Sequence, residues 1–295
     1  MNHGQGIVLR LTATGLFACM SAAVHFAAQA APVGQVVFWR SAVALLPISA
    51  YLWLRGDLPR GLRTRRPMGH LVRSLLGALA MVLSFVSLAH LPVAQATALA
   101  YLVPLMSVAA AVLVLGERPG LTVHLGLGLG LAGILTMLTP SLLRTGSDPG
   151  TLIGVAAGIG MAAATALARV HIKQLTATEA TGGIAFYFAL TCTVVGLLSW
   201  PFGWIETAGT TRLALIASGV FGGLAHIAMT EAIARAPISV LAPFEYTGML
   251  WALAFDVLLF AYRPDPFGLG GAVVIVLAAI LVAWRPTSLA EARPR

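Results

Sequence analysis

The chain has 295 residues, 59% of them hydrophobic and 9% charged, with a mean hydropathy of +0.91 and a formal net charge of +8. A water-soluble domain carries about 25% charged residues, so this chain could not cover a water-facing surface, and the bilayer must be the solvent for most of it. The basic excess does not point to nucleic acid, because most basic residues lie in short connections between apolar runs.

A helix needs roughly 20 apolar residues to cross the hydrocarbon core. Ten such segments are predicted: 8–29, 33–54, 71–90, 93–115, 120–139, 151–171, 181–201, 212–233, 238–260 and 266–284. The breaks carry turn chemistry: Ala31-Pro32, His90-Leu91-Pro92, Gly116-Glu117-Arg118-Pro119-Gly120, Ser147-Asp148-Pro149-Gly150, Ala236-Pro237 and Arg263-Pro264-Asp265-Pro266.

The first segment sets Thr14, Ser21 and His25 on one helical face. It also contains Ala28-Gln29-Ala30, an A-x-A-like cleavage pattern. The weak basic region before it and the repeat described below read it as a retained helix. The second segment holds Arg40 about two turns from its outer end, and Pro47. Tyr101 and Pro104 fall in the fourth, His226 in the eighth. Glu231 and Arg235, one turn apart at the end of the eighth, read as a snorkelling surface pair. The ninth segment is the richest, with Pro243, Glu245, Tyr246, Trp251 and Asp256. On a continuous α-helix, eleven residues bring Asp256 to within roughly 20° of Glu245, on a face with Gly248 and Ala252. Cys19 and Cys192 sit in apolar runs with no disulfide or metal spacing.

Ionisable groups inside a span are expensive and mark function by default. Arg40 would meet an anionic group of a substrate. Glu245 and Asp256 would meet a cationic group or a proton. His25 and His226 titrate near neutral pH and are further candidates for a coupling proton. Tyr101, Tyr246 and Trp251 could stack on a flat substrate. Pro104 and Pro243 would let their helices bend as gates. The plain alternatives are a structural Arg40–Glu245 ion pair, histidines that only bond a neighbouring helix, and aromatics that serve as interfacial anchors. Glu117 reads as a helix-end residue rather than a ligand.

With the N-terminus inside, fourteen of the eighteen basic residues fall on the inner side, including Arg10, Arg73 and Arg169, and three fall outside. That bias puts both termini in the cytoplasm. Residues 89–135 and 234–280 align at a constant offset of 145, pairing Pro92 with Pro237, Tyr101 with Tyr246, Arg118-Pro119 with Arg263-Pro264 and Gly126 with Gly271. Each half would hold five helices, an odd number, so the second half enters the membrane inverted. Inverted repeats are a recurrent carrier architecture, with the site near the midplane. The domains are then 8–139, 151–284 and a cytoplasmic tail, 285–295.

No G-x-x-x-x-G-K-[ST], H-E-x-x-H or G-x-S-x-G motif is present. A membrane-embedded enzyme on a lipid-linked substrate would gather carboxylates or histidines at one interface, and here the polar residues are scattered. A channel would repeat its charges, yet Glu245 matches Ala100.

Three stretches carry a resemblance: Gly34-Gln35-Val36-Val37-Phe38-Trp39-Arg40-Ser41, Gly116-Glu117-Arg118-Pro119 and Ala242-Pro243-Phe244-Glu245-Tyr246-Thr247-Gly248-Met249-Leu250-Trp251. Over nearly its whole length the chain resembles the EamA branch of the drug/metabolite transporter superfamily. The first and third stretches resemble a narrower subset of uptake carriers for S-adenosylmethionine and riboflavin. The resemblance implies an all-α integral membrane protein, a ten-helix basket with a central cavity in a bacterial inner membrane. It implies a secondary transporter of a small metabolite, with no cofactor or metal. The Gly-Glu turn is usually repeated in the second half, but here that turn reads Ala261-Tyr262-Arg263-Pro264. Substrate, direction (uptake or export), coupling ion and a homodimeric state stay open.

Overall fold

The computed structural model describes residues 3–91, 93–142, 151–260 and 266–284. Among them are twelve α-helices and three 3₁₀ turns, and no strand. The helices are α1 (His3–Ala28), α2 (Val33–Leu54), α3 (Pro67–His90), α4 (Val93–Ala100), α5 (Val103–Leu115), α6 (Leu121–Leu142), α7 (Thr151–Leu175), α8 (Thr181–Leu197), α9 (Gly209–Arg235), α10 (Ile238–Leu241), α11 (Thr247–Phe260) and α12 (Pro266–Trp284). The 3₁₀ turns are Arg60–Leu62, Trp200–Phe202 and Ala242–Tyr246.

The turn chemistry acts where it was expected. Pro32 (φ −58°, ψ 146°) and Pro237 (φ −59°, ψ 147°) precede α2 and α10 in an extended conformation. Proline has no N–H to leave unsatisfied there. Gly116 ends α5 at φ 68°, and the N–H of the following Glu117 donates to the Ala111 carbonyl at 3.2 Å. A left-handed cap suits glycine, which has no Cβ to clash. The 143–150 and 261–265 connections lie outside the described residues.

Six helical runs among the described residues are long and apolar enough to cross a membrane: His3–Ala28, Val33–Leu54, Pro67–Leu88, Leu152–Leu175, Gly209–Arg235 and Ile238–Phe255. Four shorter apolar helices are Val103–Leu115, Leu121–Thr136, Thr181–Leu197 and Pro266–Val282. The fourth and ninth predicted segments are not continuous helices. The fourth splits into α4 and α5 at a turn over Tyr101 and Leu102. The ninth splits into α10, the 3₁₀ turn Ala242–Tyr246 and α11. The matched tyrosines Tyr101 and Tyr246 stand at these two breaks. Pro104 lies in the first turn of α5 and Pro243 at the start of the 3₁₀ turn, while α2 continues through Pro47.

The chain folds into two compact units, each assembled from two stretches of sequence. Unit 1 comprises Met1–Ser74 and His171–Arg235. In it α1 packs along α9, and α2 packs against both α8 and α9. Small residues on α9 allow the approach: a Cβ added at Gly219 would lie 2.4 Å from Val43 Cβ, and one at Gly223 2.6 Å from Pro47 Cγ.

Unit 2 comprises Leu75–Val170 and Ala236–Arg295. There α6 packs along α12, and both meet the 3₁₀ turn. Its core gathers Val108, Val123, Leu127, Ile134, Ala242, Tyr246 and Ile275. Tyr246 lies flat against Gly130, where an added Cβ would come within 2.1 Å of its ring. Gly130→Ala is therefore expected to lower stability by about 1–3 kcal/mol, read as a fall in melting temperature in detergent. Gly248→Ala is the control: an added Cβ there meets nothing within 4 Å, and the melting temperature should hold or rise.

Candidate functional site

In unit 2 the 3₁₀ turn carries Glu245 out of the α-helical ladder. Its partner is Arg169 on α7. Arg169 Nη1 donates to Glu245 Oε1 at 2.6 Å and to Ser107 Oγ of α5 at 2.8 Å. The arginine and glutamate side chains are 12% and 10% exposed, and Ser107 is fully buried. One guanidinium thus ties together α5, α7 and the break in the ninth segment. Tyr101 and Tyr246 stand with ring centroids 6.1 Å apart. Tyr101 also borders a pocket of about 350 Å³ with Ser84, Ser87, Thr97 and Met161.

Glu117 holds the same segment from its other end. Its carboxylate accepts the backbone N–H groups of Ile238 and Ser239 at 3.0 and 2.9 Å, and the Ser239 hydroxyl at 2.5 Å. It caps the first turn of α10 from 121 residues away. An anion at a helix N-terminus satisfies donors that have no intrahelical acceptor and complements the helix dipole. Glu117 is a helix-end residue, as expected, but the helix end it serves is a distant one.

Unit 1 contains two further polar clusters. Glu231 is buried, not part of a surface pair. Besides Arg235, it accepts the hydroxyls of Tyr51 and Thr181, and Arg55 lies 3.8 Å away. It joins α2, α8 and α9 at one end. The second cluster surrounds Arg40, whose Nη1 lies 4.0 Å from the Met20 sulfur. Arg73 of α3 is buried, with its guanidinium carbon 3.8 Å above the Phe188 ring. His226 sits between Phe17 and Phe188, at 5.1 and 4.9 Å between centroids.

Several expectations are corrected. Among the described residues of unit 1 Arg40 has no carboxylate in ion-pair range, and within unit 2 Glu245 pairs with Arg169. Arg10, Arg73 and Arg169 are buried or nearly buried residues within α1, α3 and α7, not charges of inner connections. Helices α3 and α7 run four residues further than predicted at the relevant ends, starting at Pro67 and ending at Leu175. The rotation argument joining Glu245 to Asp256 assumed an unbroken α-helix. The 3₁₀ turn, with 3.0 residues per turn, breaks that register, and the Asp256 side chain lies outside the described residues. Trp251 is 43% exposed on α11, and His25 is exposed in the last turn of α1. Neither joins the clusters above. Arg169 carried a readable signal: the apolar run continues past it through Val170, Ile172 and Leu175.

Residues 4–139 and 149–284 each match the profile of the EamA-like transporter family. The chain is 31% identical to the pseudopaline exporter CntI of Pseudomonas aeruginosa, over 95% of this chain and 96% of that protein. It is 26% identical to an S-adenosylmethionine uptake transporter of Rickettsia felis, over 85% and 82%. A solved crystal structure with 22% identity superposes at a TM-score of 0.84, over 95% of this chain and 97% of that one. It establishes a shared fold.

Removing the long-range cap should loosen the broken segment. Glu117→Ala is expected to lower stability by about 0.5–2 kcal/mol, measured by thermal denaturation in detergent. Combined with Ser239→Ala it should cost less than the two single changes added together, because both remove one contact.

Proposed function

Because the chain belongs to the EamA-like transporter family, a family of transporters and not of enzymes, we propose that it is a secondary carrier moving a small polar metabolite across the bacterial inner membrane by alternating access. All ten apolar segments cross the bilayer in this reading. Residues 8–139 and 151–284 form two inverted five-helix repeats, and the tail 285–295 is cytoplasmic. The inner-side bias of basic residues supports cytoplasmic termini: with Arg10, Arg73 and Arg169 set aside as buried, eleven still stand against three.

The observation that carries the proposal is the pair of broken helices. Discontinuous helices are where carriers place substrate and coupling-ion sites. Both breaks here fall in the fourth segment of a family match, at matched tyrosines, and one holds the Arg169–Glu245 pair. Glu245 receives a substrate cation or a proton. Either event releases Arg169, and with it the tie between α5, α7 and the 3₁₀ turn. Pro104 and Pro243 keep the two breaks free of a regular hydrogen-bond ladder. Tyr101 offers a face to the substrate from the pocket wall, and Arg40 meets an anionic group.

The 31% identity to an exporter favours export as the direction, and the uptake relative, at 26%, is the competing precedent. The decisive experiment is a thermal-shift screen of purified protein against amino acids, S-adenosylmethionine, riboflavin and purines, followed by counterflow of any hit in proteoliposomes. Glu245→Gln is expected to fold normally and to slow counterflow by about tenfold or more, the scale of one lost charge-assisted contact. A well-folded Glu245→Gln protein with undiminished counterflow would overturn the assigned role.

A further inference from the structure

We propose that Arg40 and Arg73 together form a recognition site in unit 1 for the carboxylate groups of an anionic substrate, with Phe17, Phe188 and His226 as its walls. The carrier reading supplies the reason a substrate would visit; the site itself is argued from its chemistry. Arg40 comes from α2 and Arg73 from α3. Arg73 stacks on Phe188 of α8, whose ring meets His226 of α9, and Arg40 packs beside Gly222 of α9, one turn before His226, where an added Cβ would lie 3.9 Å from Arg40 Cγ. Five helices therefore converge on two cations, counting α1 through Phe17 and Met20.

Neither cation has an acid of its own unit to answer it. Among the described residues of unit 1 no carboxylate stands within ion-pair distance of Arg40 or Arg73. The nearby acids of unit 1 are committed elsewhere. Glu231 takes Arg235, Tyr51 and Thr181, and Glu179 faces His70 at 3.6 Å and accepts the Arg65 N–H at 3.0 Å. Arg73 is 4% exposed, and its Nε has no hydrogen-bond partner. A guanidinium does not escape burial by losing its proton.

What the two arginines have instead is soft. The Phe188 ring lies under Arg73, and the Met20 thioether lies 4.0 Å from Arg40. A ring face and a weak sulfur acceptor compensate a cation partly. They leave the planar N–H forks unspent, and those forks match carboxylates in bidentate geometry. Apolar walls with a few convergent donors are the ordinary make-up of a ligand site. Two forks select a substrate with two carboxylates over one with a single charge. Unit 2 is the contrast, since its arginine is already neutralised by Glu245.

The test uses the full chain purified in detergent. First, the unliganded melting temperatures of Arg40→Met and Arg73→Met are compared with wild type. Removing a buried, unanswered charge should raise them, and a fall or no change in both would overturn the proposal by making the arginines structural. Second, wild type is melted with citrate, with succinate and with the neutral succinamide at constant ionic strength. This arm needs no variant to fold. Citrate should raise the melting temperature, succinate less so and succinamide not at all. Equal responses to the three would overturn the site. Third, each arginine variant should bind citrate about tenfold more weakly or worse. Citrate binding that needs both arginines in a protein that shows no counterflow would leave the site standing and sink the carrier reading. Counterflow with wild-type carboxylate preference in both variants would do the reverse.

Discussion

A backbone N–H or C=O left bare in hydrocarbon costs several kcal/mol, and this chain interrupts two of its apolar helices. Each interruption must be sheltered by protein. The 3₁₀ turn Ala242–Tyr246 is enclosed by α6, α5 and α12, with Ala242, Pro243, Phe244 and Tyr246 all buried. Glycines on α6 bring that helix close enough to cover it. The Glu117 carboxylate takes the donors that α10 leaves open. The 3₁₀ turn keeps i→i+3 bonds of its own, so what the surrounding helices supply is burial of its side chains, and what Glu117 supplies is the cap that the start of α10 needs.

The same solvent sets the electrostatics. Charge inside a span must be answered or put to use, and the two units differ in how they do so. Unit 2 answers its arginine at once with Glu245 and adds Ser107, both through Nη1. Unit 1 answers Glu231 with an arginine and two hydroxyls, yet leaves Arg40 and Arg73 to a sulfur atom and an aromatic ring. The family match concerns the architecture. These contacts are what this particular chain has placed within it.

Hydropathy made the helices legible, because a run of some twenty apolar residues has few other uses. Proline and glycine at Pro32, Gly116 and Pro237 marked helix ends for reasons of local sterics. The offset of 145 paired Tyr101 with Tyr246 without revealing that either segment is broken, and Pro104 and Pro243 suggested bends where the chain makes a two-residue turn and a 3₁₀ turn. Arg40 and Glu245 stood out as charges deep in apolar runs. Arg73 and Arg169 did not. Each lies near the edge of a run, where a charge reads as a loop residue until the helix is seen to continue past it. The donors of Glu231 were out of reach for another reason: Tyr51 and Thr181 are 180 and 50 residues away in sequence. Long-range partners of a buried charge leave no periodic trace.

Each compact unit takes its halves from widely separated stretches of sequence, and this bears on how the protein is made. Helix α1 finds its principal neighbour in α9, which ends at Arg235. At ribosomal speeds of roughly 5–20 residues per second, α1 waits about 10–40 s between its own synthesis and that of its partner. Throughout that interval Arg10 and Thr14, buried in the finished fold, face lipid or the insertion machinery. Until α9 emerges, α1 lacks its main neighbour, although α2 and α8 can already pair. Unit 1 cannot close before about four-fifths of the chain has left the ribosome.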